Sequence, residues 1–400
     1  MTTSHKVFYY ATEAKLYRGP DGRIYSDASQ NWYDQHLLWL DTFDEVRIVA
    51  RVEDSPRGSG HLVEGQGVTV LAVPSYQGAR GLVMKFLQIR SLVRRCCTDD
   101  SAVYGGRFPG VIGAITVGAG KRIGAKTLAH IVGDPYDVLK SGVAGWLGVK
   151  LAWIGKMLMA QQVSRVDGAI YVSEQTLQKR YPVHSDAPSL IRSGLSVTRE
   201  TLASEAKIPD LRRQSTTIVA VGTHDQMYKG HDLLLEAVAL LRARGNQVKL
   251  DLIGGGSKHK TLVGLARELE IEGHVRFLGH VKSPDQVRKV LDSADLFAMP
   301  SRTEGVPRAL IEAMARGLPC IGSNIGGIPE LLPVECLFTS GSVEELTELL
   351  HKTIHDDQWL TEQGARNLDR AREICESLDP RRVSDFFTLI TSAPKVLEDK

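Results

Sequence analysis

The feature that most constrains this chain is a rhythm. Short β-branched apolar runs alternate with helix-length amphipathic segments along most of its length. Strands buried on both faces read as continuous apolar runs, and parallel neighbours need a crossover of helical length between them. The alternation is therefore the pattern of parallel sheets with helices on both faces. In the first half the strand candidates are Val7–Tyr10, Val46–Val52, Val68–Val73, Ala102–Tyr104, Thr127–Val132, Ala169–Ser173 and Leu190–Ser193. In the second half they are Thr217–Val221, Lys249–Ile253, Val275–Leu278, Leu296–Met299 and Pro319–Gly322. Between them, Asp232–Arg244 places Leu233, Leu234, Ala237, Val238 and Leu241 at helical spacing, and Gly245 ends the run.

A chain of 400 residues has room for two domains, each with its own core. The polar stretch Ser196–Thr216, with Pro209 and the basic-polar run Leu211–Gln214, reads as their junction. The expected fold class is α/β, with two doubly wound, Rossmann-like domains facing each other across a cleft. The expected boundaries are 1–195 and 196–379, with an amphipathic helix in 380–400 (Pro380–Ile390) joining the first domain. Sheets of this kind bind ligands at the carboxyl ends of their strands.

Lys plus Arg total 49 against 47 Asp plus Glu, a net charge of +2 that argues against a dedicated nucleic-acid binder. The five cysteines are irregularly spaced without a Cys-x-x-Cys pair, so neither a zinc cage nor a disulfide framework is indicated. Reduced thiols in a cytoplasmic protein are the simplest reading. The polar Met1–Lys6 and the apolar Val7–Tyr10 are together too short for a signal peptide or a membrane span.

The chemistry concentrates in Met299-Pro-Ser-Arg-Thr-Glu304-Gly-Val-Pro-Arg-Ala-Leu-Ile-Glu312. A buried strand is expected to end at Met299 and a helix to begin near Pro307, a residue suited to the first helical position. The amides of Arg308, Ala309 and Leu310 would then be unsatisfied within the helix and, with its dipole, form an anion site. Gly305 permits close approach of backbone to a ligand. Glu304 precedes this terminus and Glu312 lies inside the helix. Carboxylates accept hydrogen bonds from adjacent sugar or ribose hydroxyls, so a phosphate cradle flanked by two of them suits a nucleotide-sugar.

Residues Pro300–Leu332 resemble the Glu-x7-Glu signature of retaining family 4 glycosyltransferases of the GT-B fold, continuing through Gly317-Leu-Pro-Cys and Gly326-Gly-Ile-Pro-Glu330. Val219-Ala-Val-Gly222 with Lys229-Gly230 resembles that family's strand, glycine turn and phosphate-binding lysine. Leu252-Ile-Gly254-Gly-Gly256 and Val275-Arg-Phe-Leu278-Gly279 resemble its nucleotide-base region. The resemblance implies transfer of a glycosyl group, with retention, from a nucleoside-diphosphate sugar to an acceptor hydroxyl. It makes the second domain the donor side and the first the acceptor side. Glu312 would hold ribose hydroxyls, Glu304 would touch the donor sugar and Lys229 would offset diphosphate charge. The backbone of Gly305, Val306, Pro307, Arg308 and Ala309 would cradle phosphate and sugar. No metal and no cofactor beyond the donor substrate is expected. One departure stands out: Thr223 and His224 follow Gly222 where the family usually has an arginine, leaving Arg302 or Arg308 to supply charge.

In the first domain, Thr127-Leu-Ala-His130-Ile-Val-Gly-Asp134-Pro-Tyr136-Asp137 offers two alignments with the family's donor-side histidine. A histidine inside a strand is more often a satisfied core group, which favours Asp134 over His130. Gly120-Lys-Arg-Ile-Gly-Ala125-Lys126-Thr127 has alanine where a phosphate loop needs glycine. Gly19–Trp32 reads as a polar, turn-rich loop and an acceptor contact or an ordinary surface loop. Gly145–Ala160 and Leu82–Cys97 are apolar with basic edges. They read either as core helices or as interfacial helices bringing a cytoplasmic protein to the inner membrane face, where a lipid-linked acceptor would sit. Glycan and small-molecule acceptors fit equally. Two other functions compete: a nucleotide-sugar epimerase, whose acid/base groups would come from His130, Asp134 and Asp137, and a non-catalytic nucleotide-sugar binder.

Overall fold

The computed structural model describes residues 5–27, 32–55, 60–136, 145–192, 197–209, 214–225, 227–281 and 283–392. Asp137 and part of the Leu211–Gln214 run lie outside them. The chain divides into two compact units, Met1–Ser193 with Asp379–Lys400, and Gly194–Leu378.

In the first unit the strands are β1 (Val7–Arg18), β2 (Ile24–Ser26), β3 (Glu45–Asp54), β4 (His61–Leu62), β5 (Val68–Pro74), β6 (Val103–Phe108), β7 (Lys126–Ile131), β8 (Gly168–Tyr171) and β9 (Ser189–Ile191). Its helices are α1 (Trp32–Leu37), α2 (Gly78–Cys96), α3 (Val111–Arg122), α4 (Gly145–Val163) and α5 (Thr176–Arg180). The parallel strands run in the order β5-β3-β1-β6-β7-β8-β9. Gly19–Trp32 is not wholly loop. β1 continues well past Tyr10, and β2 folds back antiparallel on its end, pairing Tyr17 with Tyr25 and Arg18 with Ile24. The extension is masked in sequence because buried Leu16 lies among polar neighbours, with Lys15 paired to Glu53 at 2.6 Å.

The second unit is a six-stranded parallel sheet of β10 (Thr216–Val221), β11 (Val248–Ile253), β12 (Val275–Gly279), β13 (Leu296–Met299), β14 (Cys320–Ser323) and β15 (Leu337–Phe338). Its helices are α6 (His231–Ala243), α7 (His259–Glu268), α8 (Pro284–Ser293), α9 (Arg308–Ala315), α10 (Val343–Thr353) and α11 (Asp357–Ser377). Successive residues of a strand feed opposite cores. Ile218, Ala220, Leu296 and Ala298 pack on one face, and Val219, Phe297 and Met299 on the other. Full burial of each larger side chain contributes about 2 kcal/mol, which holds the strand ends rigid beneath the loops they carry. The strand order is β12-β11-β10-β13-β14-β15, so the winding reverses between β10 and β13.

The final helix, α12 (Pro380–Ser392), returns to the first unit. Phe387 stands edge-on to Phe8 and Phe43 at centroid distances of 5.2 and 4.9 Å, closing one face of that sheet.

Candidate functional site

The point where strand order reverses leaves a crevice at the carboxyl edge of a doubly wound sheet. In the second unit that point lies between the ends of β10 and β13, which carry Gly222 and Pro300–Glu304. Lys229, in a 3-10 turn before α6, reaches across it. Its Nζ donates to Glu304 Oε1 and Oε2 at 3.1 and 2.8 Å. Both side chains are largely covered, at 19% and 9% exposure, so the pair is held with little water to screen it. Two residues 75 positions apart meet here because β10 and β13 are hydrogen-bonded neighbours.

Arg302 is already paired within the protein. Its guanidinium makes a fork with Asp232 (2.8 and 2.8 Å) and a bond to the Met227 carbonyl (2.6 Å). Bidentate geometry of this kind fixes position. Here it locks the β13–α9 loop onto the start of α6 and so sets the approach of Lys229 to Glu304. Asp232 was not legible as part of this site, because nothing in the sequence couples it to Arg302.

His224 lies next to the position where the family usually has an arginine. It is 1% exposed, with Nδ1 3.1 Å from Nδ1 of His259, and its pKa is lowered by burial and then by the charge of His259. Its buried Nε2 has no partner among the described residues. The His224 amide donates to the Gly255 carbonyl at 2.9 Å, stapling the Gly222 loop to the Gly254 loop. Gly254, at φ +155, brings its Cα against that loop so closely that a Cβ would stand 1.8 Å from the Gly222 carbonyl oxygen. Leu278 is half-buried at the end of β12, beside this loop in the sheet order.

The start of α9 differs from the expected three free amides. Arg308 N–H donates to the Val306 carbonyl (2.9 Å) and Leu310 N–H to that of Pro307 (3.0 Å), because the helix opens with a tight turn. Among the described residues only the Ala309 amide of the three lacks a partner. Pro307 is buried and precedes the helix as its cap, Val306 is half-buried, and Gly305 is exposed while its carbonyl accepts from Gly327 N–H at 3.0 Å. Arg308 is exposed at the first helical position. Glu312, one turn on, presents an open side chain from a crowded surround. Burial raises its carboxyl pKa, while Arg308 and then Arg288 pull it down.

In the first unit Asp134, favoured in sequence over His130, is held by the protein's own groups. Asp134 is 6% exposed and accepts from the Tyr136 amide at 2.7 Å, from Arg180 and from the Tyr181 hydroxyl. Its oxygens are spent tying the β7 exit to α5. His130 instead holds Tyr10 through Nδ1 at 2.6 Å, and its buried Nε2 has no partner. Burial, followed by the charges of Arg107 and Arg192, lowers its pKa to about 3. Lys126, the lysine of the imperfect phosphate loop, begins β7 and pairs with Asp167 at 3.2 Å.

His231, at the start of α6, is likewise pushed down to about 3, by burial first and then by His224 and Lys229. Both histidines are neutral in the fold and protonate near 6.5 in an unfolded chain. The unfolded state therefore binds more protons between those values. Stability is full above about pH 6.5 and is lost as pH falls, by about 1.4 kcal/mol per pH unit for each histidine well inside the window. Denaturation midpoints from neutral pH into the acid range should fall accordingly, and His231→Gln should flatten the slope by one proton. An unchanged slope would contradict the assignment.

Residues 204–371, most of the second unit, match the family model described as glycosyl transferases group 1. Protein CapJ of Staphylococcus aureus is 27% identical over 84% of this chain and 86% of its own length. A GDP-mannose-dependent monoacylated alpha-(1-6)-phosphatidylinositol monomannoside mannosyltransferase of Corynebacterium glutamicum is 31% identical over 48% of this chain and 54% of that protein. Among solved structures, a sucrose-phosphate synthase from Thermosynechococcus elongatus superposes with a TM-score of 0.70 over 97% of this chain and all of that one, at 16% identity. The fold is thus the GT-B type, two Rossmann-like α/β units, and most of the second unit is similar in sequence to the group 1 glycosyl transferase model.

Proposed function

We propose that this chain is a retaining glycosyltransferase that moves a hexosyl group from a nucleoside-diphosphate sugar to an acceptor hydroxyl, in assembly of a cell-surface polysaccharide or glycoconjugate. The observation that carries the reading is the Lys229–Glu304 pair, bonded through both carboxylate oxygens at the reversal point of the second sheet, in the loop that leads into α9. It holds a cation and an anion in reserve for a ligand that needs both. A diphosphate would draw the ammonium from Glu304, and the freed carboxylate would accept from hydroxyls of the donor sugar. Ala309 N–H and the α9 dipole would face the phosphate, and Glu312 would hold the ribose. As the bond from the anomeric carbon to the diphosphate oxygen breaks, negative charge grows on the leaving group, where Lys229 stabilises it most. The acceptor oxygen takes the anomeric carbon and its proton passes to the departing phosphate, so the scheme needs no protein nucleophile or metal. On the acceptor side, the unpaired Nε2 of His130 is the better candidate for a sugar hydroxyl than Asp134. The name of the Corynebacterium relative, which specifies GDP-mannose, supports a sugar nucleotide as donor.

Thermal shift against UDP-, GDP-, ADP- and dTDP-sugars tests the reading. A matching donor at a hundredfold excess over its Kd should add about 2.7 kcal/mol of stability. Glu312→Ala should abolish the shift, while Glu304→Ala should weaken it more for the sugar nucleotide than for the bare nucleotide. Equal shifts for wild type and Glu312→Ala would sink the assignment. Conversion of the donor without any acceptor would mark an epimerase instead.

A further inference from the structure

Two histidines 35 positions apart meet where the Gly222 loop lies on the Gly254 loop. Nδ1 of His224 and Nδ1 of His259 are 3.1 Å apart, with ring centroids 5.4 Å apart and planes 12° from parallel. This is a hydrogen bond between two imidazoles, so one Nδ1 donates and the other accepts. Each neutral ring has one N–H and one bare nitrogen. The bond uses one of each and leaves the pair one further N–H and one vacant nitrogen. The pair can therefore take one proton and keep its bond, which strengthens by charge assistance. A second proton would set two N–H groups against each other. Titration on these terms belongs to the pair and to neither ring alone.

The surroundings give that proton a use. His259 begins α7, and His231, whose ring stands edge-on to His224 at 4.8 Å, begins α6. Lys229 and His231 both pack on Gly222, where a Cβ would stand 3.1 Å from Lys229 Cγ and 3.2 Å from His231 Nε2. The pair is thus one ring removed from the Lys229 side chain. The fixed cations here are already matched by carboxylates, Lys229 by Glu304 and Arg302 by Asp232, while the charge of Arg308 acts on Glu312. Drawing Lys229 away from Glu304 does not change that sum, so a bound diphosphate adds its whole negative charge to a balanced site. Burial first, then His259, hold His224 below its ordinary value against the pull of Asp225 on the same loop. Lys258 is exposed and its amide donates to the His224 carbonyl at 2.8 Å, the His259 ring meets the edge of Phe277, and His280 packs on Gly255. An imidazolium at the start of a helix is disfavoured by the dipole in the empty site. An anion in front of it reverses the balance.

We propose that the His224–His259 pair takes up one proton from solvent when a nucleoside-diphosphate sugar binds, supplying positive charge that the fixed side chains lack. The inference rests on the donor reading above. Neither ring has to touch the ligand, because the pair acts through its charge.

The test is titration calorimetry of the full chain near neutral pH with UDP-glucose, GDP-mannose, ADP-glucose and dTDP-glucose, whose diphosphates do not titrate in that range. Two buffers of unlike protonation heat are used, and the difference in binding heat counts protons. The donor that binds should bring in roughly half a proton or more, and by linkage should bind tighter as pH falls through neutrality, approaching about ten-fold per unit. His259→Asn sets an amide where Nδ1 was, which keeps a bond to His224 without titrating. It should abolish the uptake and flatten the pH dependence. In the wild-type chain, nitrogen-15 shifts of the two rings should show one imidazolium forming as that donor is added, a readout that needs no variant. Binding with no net uptake, uptake that survives in His259→Asn, or rings that stay neutral would overturn the proposal and leave the donor reading standing. Failure of all four donors to bind would remove the donor reading itself, and this inference with it.

Discussion

Lys229→Met is expected to lower kcat for glycosyl transfer by about two to three orders of magnitude, the usual cost of removing one fixed donor from a developing oxyanion. It should also destabilise the ligand-free protein. Glu304 is only 9% exposed and accepts both of its short bonds from Lys229, so removing the ammonium strands a covered carboxylate. Loss of a charged hydrogen-bond partner at such a site costs about 1.5–3 kcal/mol. The two effects separate in a double variant. Lys229→Met with Glu304→Gln removes both charges while keeping the volumes, and should recover most of the lost stability. Its activity should stay as low as that of Lys229→Met or fall further. Denaturant titration reads the first quantity and single-turnover rates with saturating donor read the second. A double variant that regained activity along with stability would show that the pair is a structural clasp and nothing more.

The contrast between what sequence shows and what it hides is physical. Leu296–Met299 has the same bounds in sequence and structure, and Thr217–Val221 differs by one residue. Strands buried on both faces leave a continuous apolar run that little else can produce. β1 was read short because Leu16 is the one buried residue in its far half, and the two-residue β4 and β15 are below the length at which a period can be counted. At the site, order along the chain points to a lysine and two glutamates but not to how they meet. That depends on which strand ends are neighbours. Arg302 stood beside Arg308 as a candidate for ligand charge because its partner Asp232 lies 70 residues away. The amides of Arg308 and Leu310 were expected to be open because sequence locates a helix start without giving the tightness of its first turn. The choice between Asp134 and His130 turned on hydrogen-bond partners from α5 and β1, and no local pattern carries those.

Gly326→Ala is expected to damage the same site without replacing any side chain that meets a ligand. Gly326 has φ +58, and a Cβ there would stand 2.0 Å from the carbonyl oxygen of Glu304 and 2.8 Å from its carbonyl carbon. Real Cβ contacts almost never close below 3.0 Å, so the backbone of Glu304 must retreat by about an ångström. The next residue offers no slack, since Gly327 N–H is bonded to the Gly305 carbonyl at 3.0 Å. Overpacking of this kind costs about 1–3 kcal/mol, and the left-handed conformation adds about 1 kcal/mol or more for alanine. Displacing a positioning group by an ångström costs on the order of a hundredfold in rate. Gly245→Ala separates the two contributions. Gly245 also has positive φ, at +87, but a Cβ there meets nothing within 4 Å. It should lose only the conformational part of the stability, with kcat/KM for the donor intact. If Gly326→Ala kept its donor kcat/KM while losing stability, the position of Glu304 would not matter to transfer, and its role in reading the sugar would have to be given up.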